Sequence, residues 1–422
     1  MSLSPIREIA TLAVEPLRQN REFRFGAQTA IDEALDLNFA GVKTQHATHS
    51  IHPYVAAINP PLAETVIRHY VPEGATVLDP FCGGGGVLVE AVLNNRRAIG
   101  CDINPLAVLL SRVKTTHIHS ARSLRCYNAL LERATNNLIH VTIDDVPDIV
   151  RFWYLDESLK PLKALQIATL EIRDAQLREL FQTVLSATAR DVMLTYRGEI
   201  RLRKMRGRDL ERFKPDVFSA FKKRALSAIE KVTDLPEDSH SRVYSLDCRK
   251  LTATQRCHTV VTSPPYGDDK NGVGYFQFSR NMMYWIGISL DEQKEQKQSF
   301  LGARASCANH AASSPTLRQT LQIIEGRKAS HHDEAISFYA DYHSALERIA
   351  SVTEHRIIII IGDRVLSRTK INNGHITTEY MQALGWNLEH YYTRQLLKKR
   401  IANLGGDGGG ISLEHIMVFL RR

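Results

Sequence analysis

The chain predicts an α/β fold: a Rossmann-like, doubly wound sheet of mainly parallel strands, carrying a mainly helical insert. Three observations predict it. Short apolar runs alternate with helical patterns from residue 75 to 114, which is the signature of strand–helix–strand units. The alternation stops near residue 118 and resumes at 242, leaving a long stretch with Leu, Ala and charged residues at helical spacing. A β-branched run at 356–361 has the length and composition of a strand buried on both faces.

The elements follow in order. Residues 1–45 are poorly patterned, with one amphipathic helix expected at 29–37. A helix at 61–70 starts with Pro61 in its first turn, where the missing N–H costs nothing. Then come strand 75–79, helix 86–95, strand 97–101 and helix 105–114, the last opened by Asn104 and Pro105. Residues 118–240 form the helical insert, with Pro147, Pro161 and Pro215 as expected breaks. The sheet resumes at 242–246 and 259–262. Residues 278–350 are again helical, with the polar stretch 303–315 as the expected flexible loop. Strands at 389–395 and 415–420 flank the glycine run 405–410 and close the chain. The expected division is 1–117, 118–240 and 241–422, the last with a helical excursion at 278–350. At 422 residues the chain exceeds the usual single-domain size.

Composition narrows the classes. Hydrophobic content of 43% and charged content of 24% are ordinary for a globular protein. No apolar stretch approaches the ~20 residues that span a bilayer, and Met1-Ser2-Leu3-Ser4-Pro5 lacks a signal-peptide pattern, so the cytoplasm is the expected location. The six cysteines (82, 101, 126, 248, 257 and 307) lack Cys-x-x-Cys spacing, which fits reduced thiols and gives no zinc site. His46, His49 and His52 recur at threes. With no cysteine or carboxylate beside them in the sequence, polar packing is expected and no metal.

Two motifs carry the chemistry. The apolar run 259–261 ends in Thr262, Ser263, Pro264, Pro265 and Tyr266. Prolines cannot continue a central strand, so the chain leaves the sheet there with Ser263 held extended. The Ser263 hydroxyl and the Pro264 carbonyl are two acceptors beside an aromatic ring, a socket for a planar heterocycle bearing an amino group. Upstream, a strand stops at Asp79 and a glycine-rich turn, Pro80-Phe81-Cys82-Gly83-Gly84-Gly85-Gly86, opens a helix. Such turns let a ligand approach the backbone at a helix N-terminus. The next strand ends at Asp102, about 20 residues on, where a carboxylate commonly holds ribose hydroxyls. No Gly-Lys-Ser/Thr follows the turn, and Asp79 would repel a pyrophosphate while attracting an ammonium. S-adenosylmethionine offers both an ammonium and a ribose.

With these residues the chain resembles the S-adenosylmethionine-dependent amino-methyltransferases of DNA, and Ser263-Pro264-Pro265-Tyr266 resembles the form typical of cytosine-N4 enzymes. His52-Pro53-Tyr54 is similar to the family's segment before the cofactor loop, and residues 243–247 to the strand whose aspartate contacts adenine. The resemblance implies a sheet with an antiparallel last strand. It implies a cofactor site at His52, Tyr54, Asp79, Pro80, Phe81, Cys82, Gly83, Gly85, Asp102, Ile103, Asp247 and Cys248, with catalysis at Ser263, Pro264, Pro265 and Tyr266. Gly84 and Gly86 stand where the family usually has small polar residues, which should loosen the turn. No cysteine follows a proline, so the Pro-Cys nucleophile of cytosine C5 methylation is missing.

A net charge of +8 permits a polyanionic partner. Basic residues cluster between 196 and 224, among them Arg197, Arg201, Arg203, Lys204, Arg206 and Arg208, interrupted by Tyr196, Gly198, Gly207 and Phe213. Together with Lys398, Lys399 and Arg400 they are the candidate contacts to double-stranded DNA. The expected function is site-specific methylation of cytosine N4 in a base flipped from DNA, in a restriction–modification or epigenetic setting on the nucleoid, with a cognate restriction endonuclease as a candidate partner. The rivals are adenine N6 methylation, RNA base methylation, and a DNA-binding specificity protein with a degenerate core.

Overall fold

The computed structural model describes residues 22–23, 37, 39, 41–55, 57–196, 202–267, 275–303, 313–395 and 413–422. Its strands are β1 (Glu22–Phe23), β2 (Thr76–Asp79), β3 (Arg97–Asp102), β4 (Ser241–Ser245), β5 (Cys257–Thr262), β6 (Thr353–Gly362), β7 (Arg364–Leu366), β8 (Thr369–Ile371), β9 (Trp386–Gln395) and β10 (Leu413–Arg421). Eight of them form one sheet in the order β1-β9-β10-β6-β5-β2-β3-β4, and β7 and β8 make a separate hairpin. β4, β3, β2, β5 and β6 run parallel. β10 inserts antiparallel between β6 and β9, the expected reversal.

The strand reading at 356–361 is resolved residue by residue. Ile357, Ile359 and Ile361 face one apolar layer, formed with helices Pro315–Glu325, Ala329–Val352 and Asn373–Ala383. Ile358 and Ile360 face the other, formed with helices Pro60–Tyr70 and Gly86–Leu93. A strand packed on both faces needs no polar alternation. All five parallel strands end at one edge of the sheet, so the residues just beyond them share one crevice.

The insert is helical: Ser120–Asn137, Asp148–Arg151, Asp156–Leu170, Ala175–Asp191, Gly207–Arg212 and Val217–Thr233. Pro147 and Pro215 lie just outside helices, as expected. Pro161 corrects the reading, because it sits inside Asp156–Leu170. Its missing N–H loses one ladder bond near the helix start, and burial of Leu159, Leu162 and Leu165 outweighs that loss.

The excursion at 278–350 is two structures. Helix Tyr275–Trp285 packs into the insert, with Phe278, Met282, Met283 and Trp285 in the same apolar core as Leu162, Leu180 and Phe181. Helices Pro315–Glu325 and Ala329–Val352 pack on the sheet instead. The boundary expected at 240 therefore cuts across a shared core. Except for Leu37, the helix expected at 29–37 lies outside the described residues, as do 304–312 of the expected loop and the glycine run 405–410. Ser314 caps the helix that follows that loop.

Candidate active site

The β2 strand ends in Asp79, which is buried because β5 lies against β2 in parallel register. One carboxylate oxygen, Oδ1, accepts from Thr262 Oγ1 at 2.7 Å and from the Phe81 N–H at 3.1 Å. Thr262 thereby ties the glycine turn to the Ser263-Pro-Pro-Tyr segment, 183 residues downstream. Among the described residues the second oxygen, Oδ2, accepts no hydrogen bond, and Asp79 lines a cleft. Burial pushes the Asp79 carboxyl up to about 7, with the nearby Asp102 charge adding to the effect. Such a group gains from a cation placed beside it.

Asp102 ends β3. Its Oδ2 accepts from the Gly83 N–H at 2.9 Å and its Oδ1 from the Asn104 N–H at 2.8 Å. Burial raises this carboxyl to about 6. The two aspartates thus brace the glycine turn from both ends. Gly83 and Gly85 adopt positive φ, which the turn requires. The expectation that Gly84 and Gly86 loosen it is corrected. A Cβ on Gly84 would lie 2.7 Å from Tyr54 Cβ, and one on Gly86 2.8 Å from Ile58 Cγ2. The N-terminal segment presses on these glycines and leaves no room for a side chain.

A cleft enclosing about 960 Å³, part of it open to solvent, lies over this edge. Among the expected residues it is lined by Tyr54, Asp79, Pro80, Phe81, Cys82, Gly83, Asp102, Ile103, Asp247, Cys248, Ser263 and Pro265. Gly85, Pro264, Tyr266 and His52 are not among its lining residues. His52 is a correction, since it is fully buried with Nε2 2.9 Å from Ser186 Oγ and Nδ1 2.6 Å from the Pro53 carbonyl. Burial, then the Lys114 charge, pulls its imidazole down to about 3, so it is neutral and anchors the segment rather than meeting a ligand. Lys114, drawn down to about 7 by burial, donates to the His52 carbonyl at 2.9 Å.

Asp247 lines the cleft but is already engaged. Arg249 donates Nε and Nη2 to its carboxylate at 3.0 and 2.6 Å. Burial would raise this carboxyl, yet the Arg249 bonds outweigh it and hold it below the usual range. Arg249 also reaches Asp341 at 2.6 Å and the Ser299 carbonyl at 2.9 Å. It so fastens the segment whose Ser299, Phe300 and Leu301 close the cleft. Those three residues and Arg249 escaped the sequence reading, and Asn104 was read there only as the start of a helix. Asn104 donates to Tyr54 Oη at 3.1 Å and to Ser279 Oγ at 3.0 Å.

Two of the three histidines, His46 and His49, do have a carboxylate partner, correcting the view from the sequence. Glu90, buried on helix Gly86–Leu93, takes His46 Nε2 and His49 Nε2 on one oxygen, each at 2.7 Å. Their donor atoms lie within 4.8 Å of one another. The contacts have hydrogen-bond lengths, and they pin the 46–55 segment to the cofactor-side helix.

At the far end of the cleft, Ser263 Oγ lies 3.4 Å from Tyr266 Oη, which donates to Glu414 Oε1 at 3.1 Å. Arg394 holds the other Glu414 oxygen, with Nε at 2.7 Å and Nη2 at 2.6 Å. Of the basic residues, Arg203, Arg206 and Arg208 are exposed, while Lys204 stacks on Phe152 with Nζ 4.0 Å from the ring centre. Arg197, Arg201, Lys398, Lys399 and Arg400 lie outside the described residues. Among the described residues no helix is long and apolar enough to cross a membrane.

S-adenosylmethionine suits these groups. Two carboxyls raised by burial await an ammonium and hydroxyl donors, and close-packed glycines present backbone to the ligand. The sequence comparisons agree. Residues 18–112 match the model of a DNA methylase family. The Type II methyltransferase M.MvaI of Kocuria varians is 27% identical over 399 residues, covering 86% of this chain and 87% of that protein. The Type II methyltransferase M.MjaII of Methanocaldococcus jannaschii is 34% identical over 97 residues, 23% of this chain and 18% of that one. Magnesium protoporphyrin IX methyltransferase from Synechocystis PCC 6803, solved with bound SAM, aligns over 89% of this chain and 79% of its own at 7% identity and a TM-score of 0.29. The family match, the relative along most of the chain and the cleft at the strands' carboxyl ends together support a DNA methyltransferase that uses S-adenosylmethionine.

Proposed function

We propose that this protein transfers the methyl group of S-adenosylmethionine to the exocyclic N4 of a cytosine flipped out of DNA. The observation that carries the reading is the single cleft shared by Asp79, Asp102 and Ser263. When bound, the cofactor supplies an activated methyl on a sulfonium leaving group, so no covalent enzyme intermediate is needed. Asp102 is the candidate for the ribose hydroxyls, Asp79 for the methionine ammonium, and the 299–301 segment excludes water from the adenine end.

The chain's own task is alignment. An exocyclic amine is a poor nucleophile because its lone pair is delocalised into the ring. The Ser263 hydroxyl and the Pro264 carbonyl accept its two N–H groups and favour a tetrahedral nitrogen. Tyr266, half-buried beside Ser263, is the proposed surface for the flipped ring. Serine in place of a carboxylate at 263 favours cytosine over adenine. The insert and its exposed arginines would hold the duplex, and a partner endonuclease would accompany a modification enzyme.

The test is methylation of defined DNA, RNA and protein pools with labelled cofactor, followed by mass spectrometry of modified nucleosides. N4-methylcytosine in DNA is expected. Ser263→Ala should lower turnover while leaving cofactor affinity within about twofold. N6-methyladenine as the sole product would overturn the base assignment, and label confined to RNA would overturn the substrate.

A further inference from the structure

Methylation of a neutral amine leaves a nitrogen with one proton too many. Ser263 can accept a hydrogen bond from that amine, but a serine hydroxyl cannot keep a proton at neutral pH. The carboxylates that line the cleft are engaged elsewhere: Asp79 by Thr262 and Phe81, Asp102 by the Gly83 and Asn104 N–H groups, and Asp247 by Arg249. A fourth carboxylate stands behind the serine. Glu414 lies 9% exposed at the start of β10, an expensive place for a charge in a strand of apolar residues. Its Oε2 is neutralised by Arg394, while among the described residues its Oε1 takes the Tyr266 hydroxyl, which in turn reaches Ser263 Oγ.

We propose that Ser263, Tyr266 and Glu414 form a proton outlet for the methyl transfer, with Glu414 as its terminus. This rests on the reading of the protein as an amino-methyltransferase. In the step, the amine lone pair forms the new N–C bond as the methyl–sulfur bond breaks, its electron pair remaining on sulfur. As that bond forms, one N–H bond breaks and its pair stays on nitrogen. The proton passes to Ser263 Oγ, the serine proton to Tyr266 Oη, and the tyrosine proton to Glu414 Oε1. Tyrosine need never ionise. Burial and the Glu414 charge hold its hydroxyl well above the ordinary phenol range, which suits a group that gives and receives a proton together. The methylated amine is strongly acidic before it loses its proton, so a carboxylate weakened by Arg394 is base enough. Arg394 is a positioning residue that turns Oε1 toward the tyrosine.

Glu414→Gln separates relay from support. Glutamine can still accept the Tyr266 hydrogen bond through its oxygen but cannot take the proton. General-base assistance contributes about 10²–10⁴-fold, so the single-turnover rate on DNA should fall at least ~100-fold. Calorimetric affinities for S-adenosylmethionine and DNA should stay within about threefold. Tyr266→Phe, which keeps the ring, should show the same split. The wild-type rate should carry a solvent deuterium isotope effect that both variants lose, and unchanged cofactor binding certifies that each is folded. Wild-type rates and an intact isotope effect in both folded variants would overturn the outlet while leaving the function standing. If wild-type protein methylates no nucleic-acid amine, the function fails and the outlet with it. Loss in Tyr266→Phe alone would make Glu414 a prop and also overturn the proposal.

Discussion

Replacing Asp79 by asparagine should stabilise the ligand-free protein while weakening its cofactor site. Both hydrogen bonds that Asp79 accepts fall on Oδ1, so an asparagine Oδ1 keeps Thr262 and the Phe81 N–H, and only the cleft-facing atom changes. The native carboxyl stands at about 7 instead of 3.8 because burial penalises its charge. A carboxyl raised on folding contributes stability that is complete below its unfolded value and is lost as pH rises through the folded one. At about 1.4 kcal/mol per pH unit, three units of displacement cost on the order of 4 kcal/mol at pH 8, and about 1–2 kcal/mol at pH 5. The neutral amide avoids that cost. Thermal unfolding of both proteins without ligand should therefore show Asp79→Asn melting several degrees higher at pH 8, with the gap narrowing steadily toward pH 4. Calorimetry at pH 8 should show S-adenosylmethionine bound about ten- to hundred-fold more weakly, the loss of a charge-assisted bond of roughly 1.5–3 kcal/mol. A variant that melts lower than wild type at pH 8 would refute the reasoning, because the carboxylate would then be favourably ionised in the empty cleft.

Asp102→Ala should weaken cofactor binding about ten- to hundred-fold by removing the proposed ribose acceptor and freeing the Gly83 and Asn104 N–H groups; unchanged calorimetric affinity would sink that assignment. Changing the exposed Arg203, Arg206 and Arg208 to glutamine should flatten the slope of log K against log salt by nearly one unit per lost phosphate contact, with sequence preference unaltered. A fluorescence titration with the same slope would make the run a solvated face.

The parts of the site legible in the sequence were those fixed by local backbone rules. Asp79 and Asp102 end strands that open into glycine or asparagine turns, and Ser263 precedes two prolines, so their place at the sheet's edge follows from chain geometry. The alternating isoleucines of β6 were legible for the same reason. What stayed hidden depends on contacts between distant segments. Glu90 meets His49 across 41 positions, Arg249 meets Ser299 across 50, and Tyr266 meets Glu414 across 148. A signal for Glu414 did exist, as the one carboxylate in the run 413–420, which is otherwise apolar but for His415. His52 misled because neighbourhood in the sequence to Tyr54 does not place two side chains on the same side. The Pro161 break failed because propensity near a helix start yields to tertiary packing.

Helix Tyr275–Trp285 constrains how such a protein can be re-engineered. Grafting a foreign 118–240 segment between the helix at 105–114 and β4 looks simple, since one splice point follows a helix and the other opens the edge strand, away from β2 and β5. Yet Trp285, Met282 and Phe278 fill the far side of that segment's apolar core from the other half of the chain. A chimaera made at those two junctions would join mismatched surfaces and leave voids costing about 2–5 kcal/mol for each large side chain left unfilled. Exchange of the insert thus calls for four junctions in place of two, the second pair carrying 275–288 along with it.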